Sequence, residues 1–425
     1  MAQLVVFLGD YRVGQLTREA RGGLSFAYDD AWRDDPDAYP LSVSMPLARQ
    51  VHGGALLEAY LWGLLPDNEA ILEGWARRFK VSARNPFALL ASVGEDCPGA
   101  VRFVDPARLD GTPAPRRGAV AWLDERAVAQ RLAALHQDAS AWRAATDSGQ
   151  FSLGGAQPKT ALYFDGRRWG VPSGRTPTTH ILKPGAPHLD GHAENEHFCL
   201  ALGAEAGLTV ARSQVLRFHD EVAIVLERYD RLQHEGAIVR VHQEDGCQAL
   251  GVPPVNKYEN AGGPGVGALV TLLRERSRHP REDLDTLFGA LAFNWVIAGT
   301  DAHAKNYSLL IGRGGAIRLA PLYDIASFLP YAGTGMRKLK LAMAIGGKYR
   351  LHEIGVHAWS KLALQTGRDP EALRAELIAF CTRLPDLTAR VAKRAKREGL
   401  SHAVLPGLAA KIQERARACV KALDP

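Results

Sequence analysis

The stretch "TDAHAKN", residues 300–306, decides the predicted fold, because it places charged and amide side chains inside apolar sequence. The helix-like run "LFGALAFNWVIAG" precedes it, and an apolar pair follows at positions 309–310. Asp301 and Asn306 are five residues apart, and Asp324 in "LAPLYDIAS" follows Asp301 by 23 residues. We predict a short strand pair, "SLLIG" with "AIRLAP", in the interval. Polar side chains in this setting suggest a chemical site.

The order of these three residues matches the needs of protein-kinase chemistry. One Asp accepts the proton of the acceptor hydroxyl, while an Asn of the same loop and a second Asp hold magnesium ions. Magnesium prefers oxygen ligands and takes one or two carboxylates, while phosphates supply the rest. Asn306 and Asp324 fit that demand. The alternative is that Asp301 and Asp324 are ordinary loop and turn residues without a chemical role. A D-x-x-x-x-N match is common by chance.

A glycine-rich stretch, "FSLGGAQPKT" at residues 151–160, has the composition of an anion-binding loop. Gly154, Gly155 and the small Ala156 allow backbone N–H groups to turn inward around a phosphate. Lys159 follows, and "TALYF" then has the pattern of a strand. The stretch is neither a G-x-G-x-x-G motif nor a Walker A loop, so a plain turn is the alternative.

The segment "HILKP" places Lys183 at the end of an apolar strand, where kinases carry a phosphate-pairing lysine. Glu194 and Glu196, in the next predicted helix, are candidates to hold that lysine. The alternative is an exposed lysine and a solvated, charged helix face.

The run "VAIVLERYDR" leaves an apolar strand at Glu227 and enters the predicted helical part. A two-lobed kinase has its hinge at such a place, where main-chain groups read adenine and an aromatic residue such as Tyr229 can flank the ring. An ordinary interdomain linker with an ion-paired Arg228 is the alternative.

Composition sets limits on these hypotheses. The 425 residues suggest two or three domains, and 46% hydrophobic with 23% charged residues is an ordinary globular mixture. The net charge of +6 fits a phosphate-bearing ligand but does not by itself argue for nucleic-acid binding. Five dispersed cysteines without a CxxC pair argue against a disulfide framework and fit a reducing cytoplasm. We expect no signal peptide and no membrane span.

The chain as a whole predicts an α+β fold with three parts. Residues 1–110 begin with strands and continue with helices, and the Pro-, Gly- and Arg-rich segment 107–118 is the predicted linker. Residues 119–232 are predicted to form a β-rich lobe, in which the amphipathic helix "DERAVAQRLAALH" with an Asp cap comes before most of the strands. Residues 233–425 are predicted to be mostly helical. This is a two-lobed, protein-kinase-like architecture with an added N-terminal domain.

Several motifs together resemble the HipA family, the serine/threonine-kinase toxins of bacterial toxin–antitoxin pairs. They are "SLGGAQPKTAL", "THILKP", "ENE", "LERYDR", "HQEDGCQALG", "NKYEN", "FNWVIAGTDAHAKNYSLL", "LAPLYDIAS" and "LAMAIGGKYRLHEI". The stretch "LLEAYLWGLLPDNE" also resembles the family's N-terminal domain. The likeness spans nearly the whole chain. Unlike eukaryotic kinases, the chain has no HRD, DFG or APE motif, so self-phosphorylation is expected to replace activation-loop control.

The resemblance implies a role for each matching position. Asp301 is expected to be the catalytic base, Asn306 and Asp324 the Mg²⁺ ligands, and Ser152 the autophosphorylation site. The residues expected to bind ATP are Leu153, Gly154, Gly155, Ala156, Gln157, Lys159, Lys183, Glu227, Tyr229 and His303. Ser152 could instead be a turn hydroxyl that caps the next amides. His303 could merely hydrogen-bond its loop, and Lys305 could face solvent.

The resemblance also implies partners. The expected protein substrate is a translation factor such as glutamyl-tRNA synthetase, and the expected partner is a helix-turn-helix antitoxin, HipB-like, that carries most of the operator-DNA binding. Two basic clusters, "MRKLKLAMAIGGKYR" and "RVAKRAKREG", could meet tRNA or operator phosphates, although a solvated helix face explains the second better. The rival hypotheses are a small-molecule or lipid kinase of the same fold and a non-catalytic co-repressor.

Overall fold

The computed structural model describes residues 1–109, 119–144, 147, 151–186, 188–333 and 335–424. Two compact units share this chain. The first unit comprises Met1–Pro184, Leu216–Val255 and Ser308–Ala320. The second unit comprises Gly185–Val215, Asn256–Tyr307 and Pro321–Pro425.

The described residues form helices and strands in roughly the predicted order. The strands are β1 Ala2–Leu8, β2 Tyr11–Arg18, β3 Leu24–Tyr28, β4 Val51–Gly53, β5 Val101–Val104, β6 Val120–Leu123, β7 Thr160–Phe164, β8 Trp169–Pro172, β9 His180–Pro184, β10 Ser213–Phe218, β11 Glu221–Glu227, β12 Arg231–His234, β13 Ala237–Arg240, β14 His242–Asp245, β15 Ser308–Ile311, β16 Ile317–Leu319, β17 Lys340–Ile345 and β18 Lys348–Arg350. The helices are α1 Asp30–Arg33, α2 Gly54–Gly63, α3 Glu69–Phe79, α4 Pro86–Val93, α5 Glu125–Gln137, α6 His192–Glu205, α7 Gly246–Ala249, α8 Val266–Arg276, α9 Pro280–Ile297, α10 Val356–Gln365, α11 Pro370–Arg397 and α12 Val404–Ala422.

The first unit is built on antiparallel sheets. Its N-terminal sheet has the order β4-β3-β2-β1-β5, and the next has the order β10-β11-β9-β7-β8-β6. Helix α5 covers the second sheet, and Val128 and Leu132 of the helix pack against Leu162, Leu182 and Val225 of the strands. Each buried side chain of this kind stabilises the fold by about 1.5–3 kcal/mol. This packing fixes the sheet that carries Lys183.

Helix α5 begins as its sequence predicts. The side chain of Asp124 accepts a hydrogen bond from the Ala127 N–H at 2.8 Å, which satisfies one of the unpaired donors of the first turn. The sequences "FDG" and "FHDEV" lie at the turns from β7 to β8 and from β10 to β11. The strand pair predicted after the quoted stretch is β15 with β16, in register from Leu309–Leu319 to Ile311–Ile317.

The second unit is mostly helical, and α9 is largely buried. Pro280 occupies the first turn of α9, where its missing N–H costs nothing. Near the other end, Trp295 packs edge-on against Trp359, with ring centroids 5.6 Å apart. Arg415 of α12 donates to the carbonyl oxygens of Trp295 at 2.9 Å and Val296 at 3.0 Å. These bonds satisfy carbonyls that the helix end leaves unpaired, and they fix the point where the chain leaves α9.

The prediction that the chain turns helical after residue 233 is wrong for several segments, since β12, β13 and β14 come first and β17 with β18 form a later hairpin. The strand "HQED" of β14 lacks apolar alternation because its buried side chains are polar. His242 Nε2 lies 2.9 Å from the carbonyl oxygen of Leu41, and Glu244 accepts from the Val43 N–H at 2.7 Å. Such long-range partners leave no local sequence pattern.

The predicted linker at 107–118 is described only at its start, where Pro106–Arg108 forms a 3₁₀ turn; residues 110–118 lie outside the described residues. The first compact unit continues through Leu216–Val255 and includes Ser308–Ala320. The three-domain division stays a prediction. In the part of the chain that the structure describes, no helix combines the length and hydropathy needed to cross a membrane.

Candidate active site

The quoted stretch begins at a sharp exit from α9. Ala298 adopts φ +55°, and the N–H of Gly299 donates to the Asn294 carbonyl at 2.8 Å. A Cβ on Gly299 would lie 2.1 Å from the Asn294 side-chain oxygen, so only glycine fits there without a shift. The left-handed residue at the helix end satisfies a free carbonyl and turns the chain. Asp301 follows this turn by two residues.

The backbone of Asp301 holds the loop together. Its carbonyl oxygen accepts from the His303 N–H at 2.8 Å and from the Asn306 side-chain amide at 3.1 Å. The Asn306 N–H in turn donates to the His303 carbonyl at 2.9 Å, within a short 3₁₀ turn, Ala304–Asn306. The side-chain amide of Asn306 is therefore oriented. Its nitrogen donates to the Asp301 carbonyl, and its oxygen remains as a hydrogen-bond acceptor or metal ligand.

The carboxylate of Asp301 has a partner that the sequence did not suggest. The hydroxyl of Tyr258 donates to Asp301 Oδ1 at 2.7 Å. The same tyrosine ring packs edge-on against the His303 ring, with centroids 5.0 Å apart. Lys257 places its ammonium group 5.6 Å from the Tyr258 ring centroid. Lys257 and Tyr258 both belong to the motif "NKYEN", which contributes to the family resemblance.

His303 lies buried beside the acidic groups, at 4% exposure. Burial lowers the pKa of His303 below its ordinary value, while the charges of Asp301 and Asp324 act to raise it and that of Lys257 lowers it. Its Nδ1 atom is buried and has no hydrogen-bond partner among the described residues. The structure thus brings the buried ring of His303 within electrostatic range of Asp301 and Asp324.

Asp324 adopts a backbone conformation that is uncommon for a residue with a side chain, with φ +57°. Local strain of this kind persists where the surroundings enforce it, and it is concentrated at functional sites. Two neighbours hold the segment: Tyr323 donates its hydroxyl to the Lys305 carbonyl at 2.8 Å, and Ser327 donates its hydroxyl to the Ile297 carbonyl at 2.5 Å. The segment of Asp324 is therefore tied both to the quoted loop and to the end of α9.

Lys305 corrects one expectation of the sequence. The sequence allows a solvent-facing side chain at this position, but Lys305 is buried at 7% exposure. A buried ammonium group requires compensating partners. The Lys305 side chain therefore contributes to the packing and electrostatics of the loop and does not extend into solvent.

The glycine-rich loop lies in the first unit and is held from its carbonyl side. The carbonyl oxygen of Gly154 accepts from Lys159 Nζ at 2.7 Å, and that of Gly155 accepts from the Asp67 N–H at 3.2 Å. Gly155 has φ +97°, and a Cβ there would lie 2.8 Å from Lys159 Nζ. Because the N–H of a planar trans peptide points opposite to its carbonyl, the Ala156 N–H faces away from Asp67.

The loop also reaches the strand that carries Lys183. The Gln157 side chain donates to the Pro184 carbonyl at 3.5 Å, at the end of β9. Lys183 itself is buried at 6% exposure and pairs with Ile224 across β9 and β11. The alternative of an exposed lysine is therefore wrong. The fold brings the glycine-rich loop and Lys183 to the same end of one sheet.

Ser152 is fully buried, at 0% exposure. Its hydroxyl donates to the Leu64 carbonyl at 2.6 Å, and its N–H donates to the Asp96 carbonyl at 3.0 Å. The hydroxyl thus contacts the N-terminal part of the chain and not the amides that follow it. In this conformation the side chain has no access to solvent.

The predicted hinge residues end β11. Glu227 is exposed and stands opposite His180 across the strand pair. Tyr229 is partly buried and donates its hydroxyl to the side-chain oxygen of Gln243. Arg228 is ion-paired, as the linker alternative supposed, with Asp230 at 2.8 Å. Glu194 and Glu196 are buried on α6 in the second unit, and their pairing with Lys183 stays a prediction.

A buried ionic network surrounds Asp96 and was not predicted from the sequence. Its carboxylate pairs with Arg231 at 2.8 Å and Arg240 at 3.2 Å, and Arg228 lies within 3.6 Å. Burial alone would raise the pKa of Asp96, but these guanidinium groups hold it well below its ordinary value. The charged run "RYDR" is the local signal. The network thus links the segment after Glu227 to Asp96. The backbone carbonyl of Asp96 accepts the hydrogen bond from the Ser152 N–H.

Comparison with known proteins identifies the family. Residues 151–387 match the HipA-like C-terminal domain, and residues 4–104 match the HipA N-terminal domain. The chain belongs to the HipA family. It is 36% identical to a putative kinase of Sinorhizobium fredii, Y4mE, over 90% of this chain and 89% of that protein. It is 28% identical to the serine/threonine-protein kinase toxin HipA of Shewanella oneidensis, over 91% of this chain and 89% of the relative.

A solved structure shows the fold. The HipA toxin of Shewanella oneidensis, determined in complex with HipB and operator DNA, matches this chain with a TM-score of 0.83 and 24% identity. The match covers 98% of this chain and 97% of that one. It confirms the predicted class, a two-lobed, kinase-like α+β fold, and the family places the chain among the serine/threonine-protein kinases, as predicted.

Proposed function

We propose that the protein is the toxin of a toxin–antitoxin pair, transferring the γ-phosphoryl group of ATP to a serine or threonine of a translation factor and to its own Ser152. The observation that carries this proposal is the cluster in the second unit. There, Asp301 and the oriented amide of Asn306 share one loop, and His303 is in electrostatic contact with Asp301 and Asp324. The donor types and their order match the needs of phosphoryl transfer.

Asp301 is the proposed base. The Tyr258 hydroxyl occupies its Oδ1 atom, so Oδ2 is the oxygen proposed to accept the proton of the acceptor hydroxyl. A donor on one carboxylate oxygen fixes the orientation of the other, which is what a base within hydrogen-bond reach of a substrate requires. The ring of His303 packs edge-on against Tyr258 and supports this pair.

The donor set fits magnesium and ATP. Asn306 and Asp324 would hold Mg²⁺ through one amide oxygen and one carboxylate, the small number of protein ligands that this ion takes beside phosphates. When bound, the ion would neutralise charge on the phosphates of the nucleotide. In the first unit, Leu153, Gly154, Gly155, Ala156, Gln157 and Lys159 would hold phosphates, and Lys183 would pair with them. Glu227 and Tyr229 would bind adenine.

Self-phosphorylation at Ser152 requires a conformational change. The hydroxyl is buried and bonded to the Leu64 carbonyl, so the loop must leave this position before Ser152 can accept a phosphoryl group. A phosphoserine carries about −1.5 to −2 charges and would not fit the buried position. The modified loop would therefore stay displaced, which would remove Gly154 and Gly155 from ATP phosphates and stop the kinase.

The proposed partners follow from the relatives. The matching structure contains HipB and operator DNA, so we propose a HipB-like antitoxin, which contributes most of the DNA contacts. We propose glutamyl-tRNA synthetase as the substrate to be tested first. A cytoplasmic location is part of the same proposal.

The test uses the full chain with γ-labelled ATP, Mg²⁺ and purified glutamyl-tRNA synthetase, followed by mass spectrometry of both proteins. We expect label on a serine or threonine of the synthetase and on Ser152. Label on the kinase alone would reject this substrate, and label only on a small-molecule pool would favour a small-molecule or lipid kinase. No transfer to any acceptor, with intact ATP binding, would favour a non-catalytic co-repressor.

A further inference from the structure

The hairpin of β17 and β18, together with the turn before it, carries an excess of positive charge. Residues 336–361 contain six lysines and arginines but a single acidic residue, Glu353. Five of the six cations are exposed side chains of the hairpin and its preceding turn, and they are called the basic hairpin below: Arg337, Lys338, Lys340, Lys348 and Arg350. The proposed function leaves this cluster without a role.

The neighbours of the basic hairpin do not neutralise it. Arg350 forms a solvent-accessible ion pair with Glu353 at 3.6 Å, and no other member of the basic hairpin has an ion-pair partner among the described residues. Glu259 meets β17 from an adjacent 3₁₀ turn, but its Oε2 atom accepts from the Ala344 N–H at 2.5 Å. Helix α8, which also contacts β17, carries two arginines and one glutamate. The surface therefore remains positive.

The tip of the hairpin is anchored, which fixes the backbone that carries these cations. Gly346 and Gly347 both have positive φ, +57° and +87°, as a tight two-residue hairpin turn requires. A Cβ on Gly346 would lie 2.1 Å from the Ala358 carbonyl oxygen, so the tip packs directly against α10. A Cβ on Gly347 would lie 3.6 Å from Lys361 Nζ, so α10 adds a sixth cation beside the tip.

The strand register brings like charges together. Lys340 stands opposite Arg350 across the hairpin. Lys348 and Arg350 are two residues apart on β18 and therefore share one face of it. Like charges directly opposite each other destabilise a strand pair. An anion over this face would relieve the repulsion, so the charge pattern is complementary to an acidic partner.

The basic hairpin is connected to the candidate base through Glu259. Glu259 accepts from Ala344 of β17, and its chain neighbour Tyr258 donates to Asp301 Oδ1 at 2.7 Å. A Cβ on Gly265 would lie 2.3 Å from Glu259 Oε1, so the Glu259 side chain is tightly enclosed. These links limit the distance from Ala344 to the Asp301 carboxylate to about 20 Å, which about six extended residues cover. A peptide with its hydroxyl at Asp301 can therefore reach the hairpin.

The size of the basic hairpin favours a peptide over a nucleic acid. The six residues of β17 extend about 20 Å, whereas binding to the backbone of duplex DNA typically engages about 6–10 phosphates. The basic hairpin offers five cations, one of which is paired with Glu353. The aromatic residue of the hairpin, Tyr349, is half-buried, which limits stacking on bases.

We propose that the basic hairpin binds an acidic segment of the acceptor protein and thereby selects the serine or threonine that is phosphorylated. The acidic side chains would lie over the face that Lys340, Lys348 and Arg350 share, roughly six residues from the acceptor hydroxyl. The selection of an acceptor rests on the proposed kinase function, whereas the binding of an acidic segment does not depend on it.

Binding is tested by fluorescence anisotropy of the full chain, without ATP or metal, with three labelled peptides. Each peptide has one serine flanked on both sides by identical residues, which are glutamate, glutamine or lysine. We expect the glutamate peptide to bind at least about tenfold more tightly than the glutamine peptide at low salt, and to lose this advantage at about 1 M salt. Equal affinity for the two peptides at low salt would overturn the proposal.

Two double variants test the location. Lys340→Glu with Lys348→Glu should weaken binding of the glutamate peptide about tenfold or more. The matched control, Lys393→Glu with Lys396→Glu, changes the net charge equally at exposed positions of α11 and should leave the affinity within about twofold. Because Lys340→Glu replaces repulsion of Arg350 by attraction, the first variant should unfold at no lower temperature than the wild type.

Equal effects of the two double variants on peptide affinity would overturn the assignment. A short labelled DNA duplex is the competitor. Tighter binding of the duplex than of the glutamate peptide, lost in Lys340→Glu with Lys348→Glu, would also overturn it, in favour of a nucleic-acid surface.

Acceptor selection is measured with the same peptides, γ-labelled ATP and Mg²⁺. We expect the glutamate peptide to have the highest kcat/KM, and its KM to rise about tenfold in Lys340→Glu with Lys348→Glu while kcat stays within about twofold. Preferred transfer to the glutamine or lysine peptide would overturn the selection of acidic acceptors. No transfer to any peptide or to the chain itself would instead reject the proposed kinase function, and the anisotropy result would still decide whether the basic hairpin binds an acidic segment.

Discussion

Replacing the buried carboxylate of Asp96 by an amide, Asp96→Asn, should destabilise the first unit more than any exposed charge change. The carboxylate pairs with Arg231 and Arg240 and accepts from the Thr178 N–H at 2.9 Å and hydroxyl at 2.7 Å. The amide keeps the shape but removes the charge, so the guanidinium groups lose one of their two buried counter-ions. Breaking a buried ion pair in this way costs about 3–5 kcal/mol.

The control is Asp10→Asn, which removes an exposed pair of the same unit. The Asp10 and Arg175 side chains are 2.8 Å apart but 71% and 46% exposed, so the pair is worth at most about 1 kcal/mol. Native-state hydrogen exchange of the β11 amides measures both variants. A loss of about 4 kcal/mol corresponds to roughly a thousandfold faster exchange through opening of the unit. Equal, small effects of the two substitutions would refute the reasoning.

The pH dependence gives an independent check of the same claim. The guanidinium groups hold the pKa of Asp96 below its ordinary value despite its burial. A carboxylate with a lowered folded-state pKa contributes stability above its unfolded pKa, about 4, and that stability is lost as the pH falls through the folded value. The difference in exchange between wild type and Asp96→Asn should therefore be constant from pH 7 to 5 and shrink only below about pH 4. A difference that vanishes near neutral pH would contradict this account.

Three further substitutions test the site. Gly299→Ala would place a Cβ 2.1 Å from the Asn294 oxygen and shift Asp301, so kcat should fall about a hundredfold, whereas Gly267→Ala, with open space around it, should not change kcat. Tyr258→Phe removes the donor to Asp301 and should lower kcat about tenfold or more without changing the KM for ATP; an unaltered kcat would exclude Tyr258 from the reaction. Ser152→Ala should abolish self-labelling, leave transfer to the protein substrate intact, and cost about 1 kcal/mol for the lost bond to Leu64, measured by thermal unfolding; full self-labelling would place the modified residue elsewhere.

The features that could be predicted from the sequence are local ones. The Asp124 cap and the pairing of Asp301 with Asn306 each involve residues that are close in the sequence. The structure contains both hydrogen bonds, from the Ala127 N–H to Asp124 and from the Asn306 amide to the Asp301 carbonyl. The strand pair between the quoted stretch and Asp324 was also predictable, because apolar strands with a glycine-rich turn leave a short-range pattern.

The features that were missed depend on long-range contacts. Tyr258 meets Asp301 across 43 residues, and Asp96 meets Arg231 across 135 residues. The burial of Lys305 and the strand β14 share this cause, because polar side chains become buried only when the fold supplies their partners. Such positions follow no hydrophobic periodicity. A prediction from neighbouring residues alone therefore places them in solvent-exposed segments or in loops.

The central claim is that Asp301 acts as the base of a phosphoryl-transfer reaction. The most direct measurement compares wild type with Asp301→Asn, in single-turnover transfer from γ-labelled ATP to the protein's own Ser152 and in equilibrium binding of ATP with Mg²⁺. Asn keeps an oxygen for the Tyr258 hydroxyl but cannot accept a proton, so we expect transfer to fall by a factor of about 10²–10⁴ with ATP affinity unchanged within about threefold. Transfer at the wild-type rate in Asp301→Asn would contradict the account.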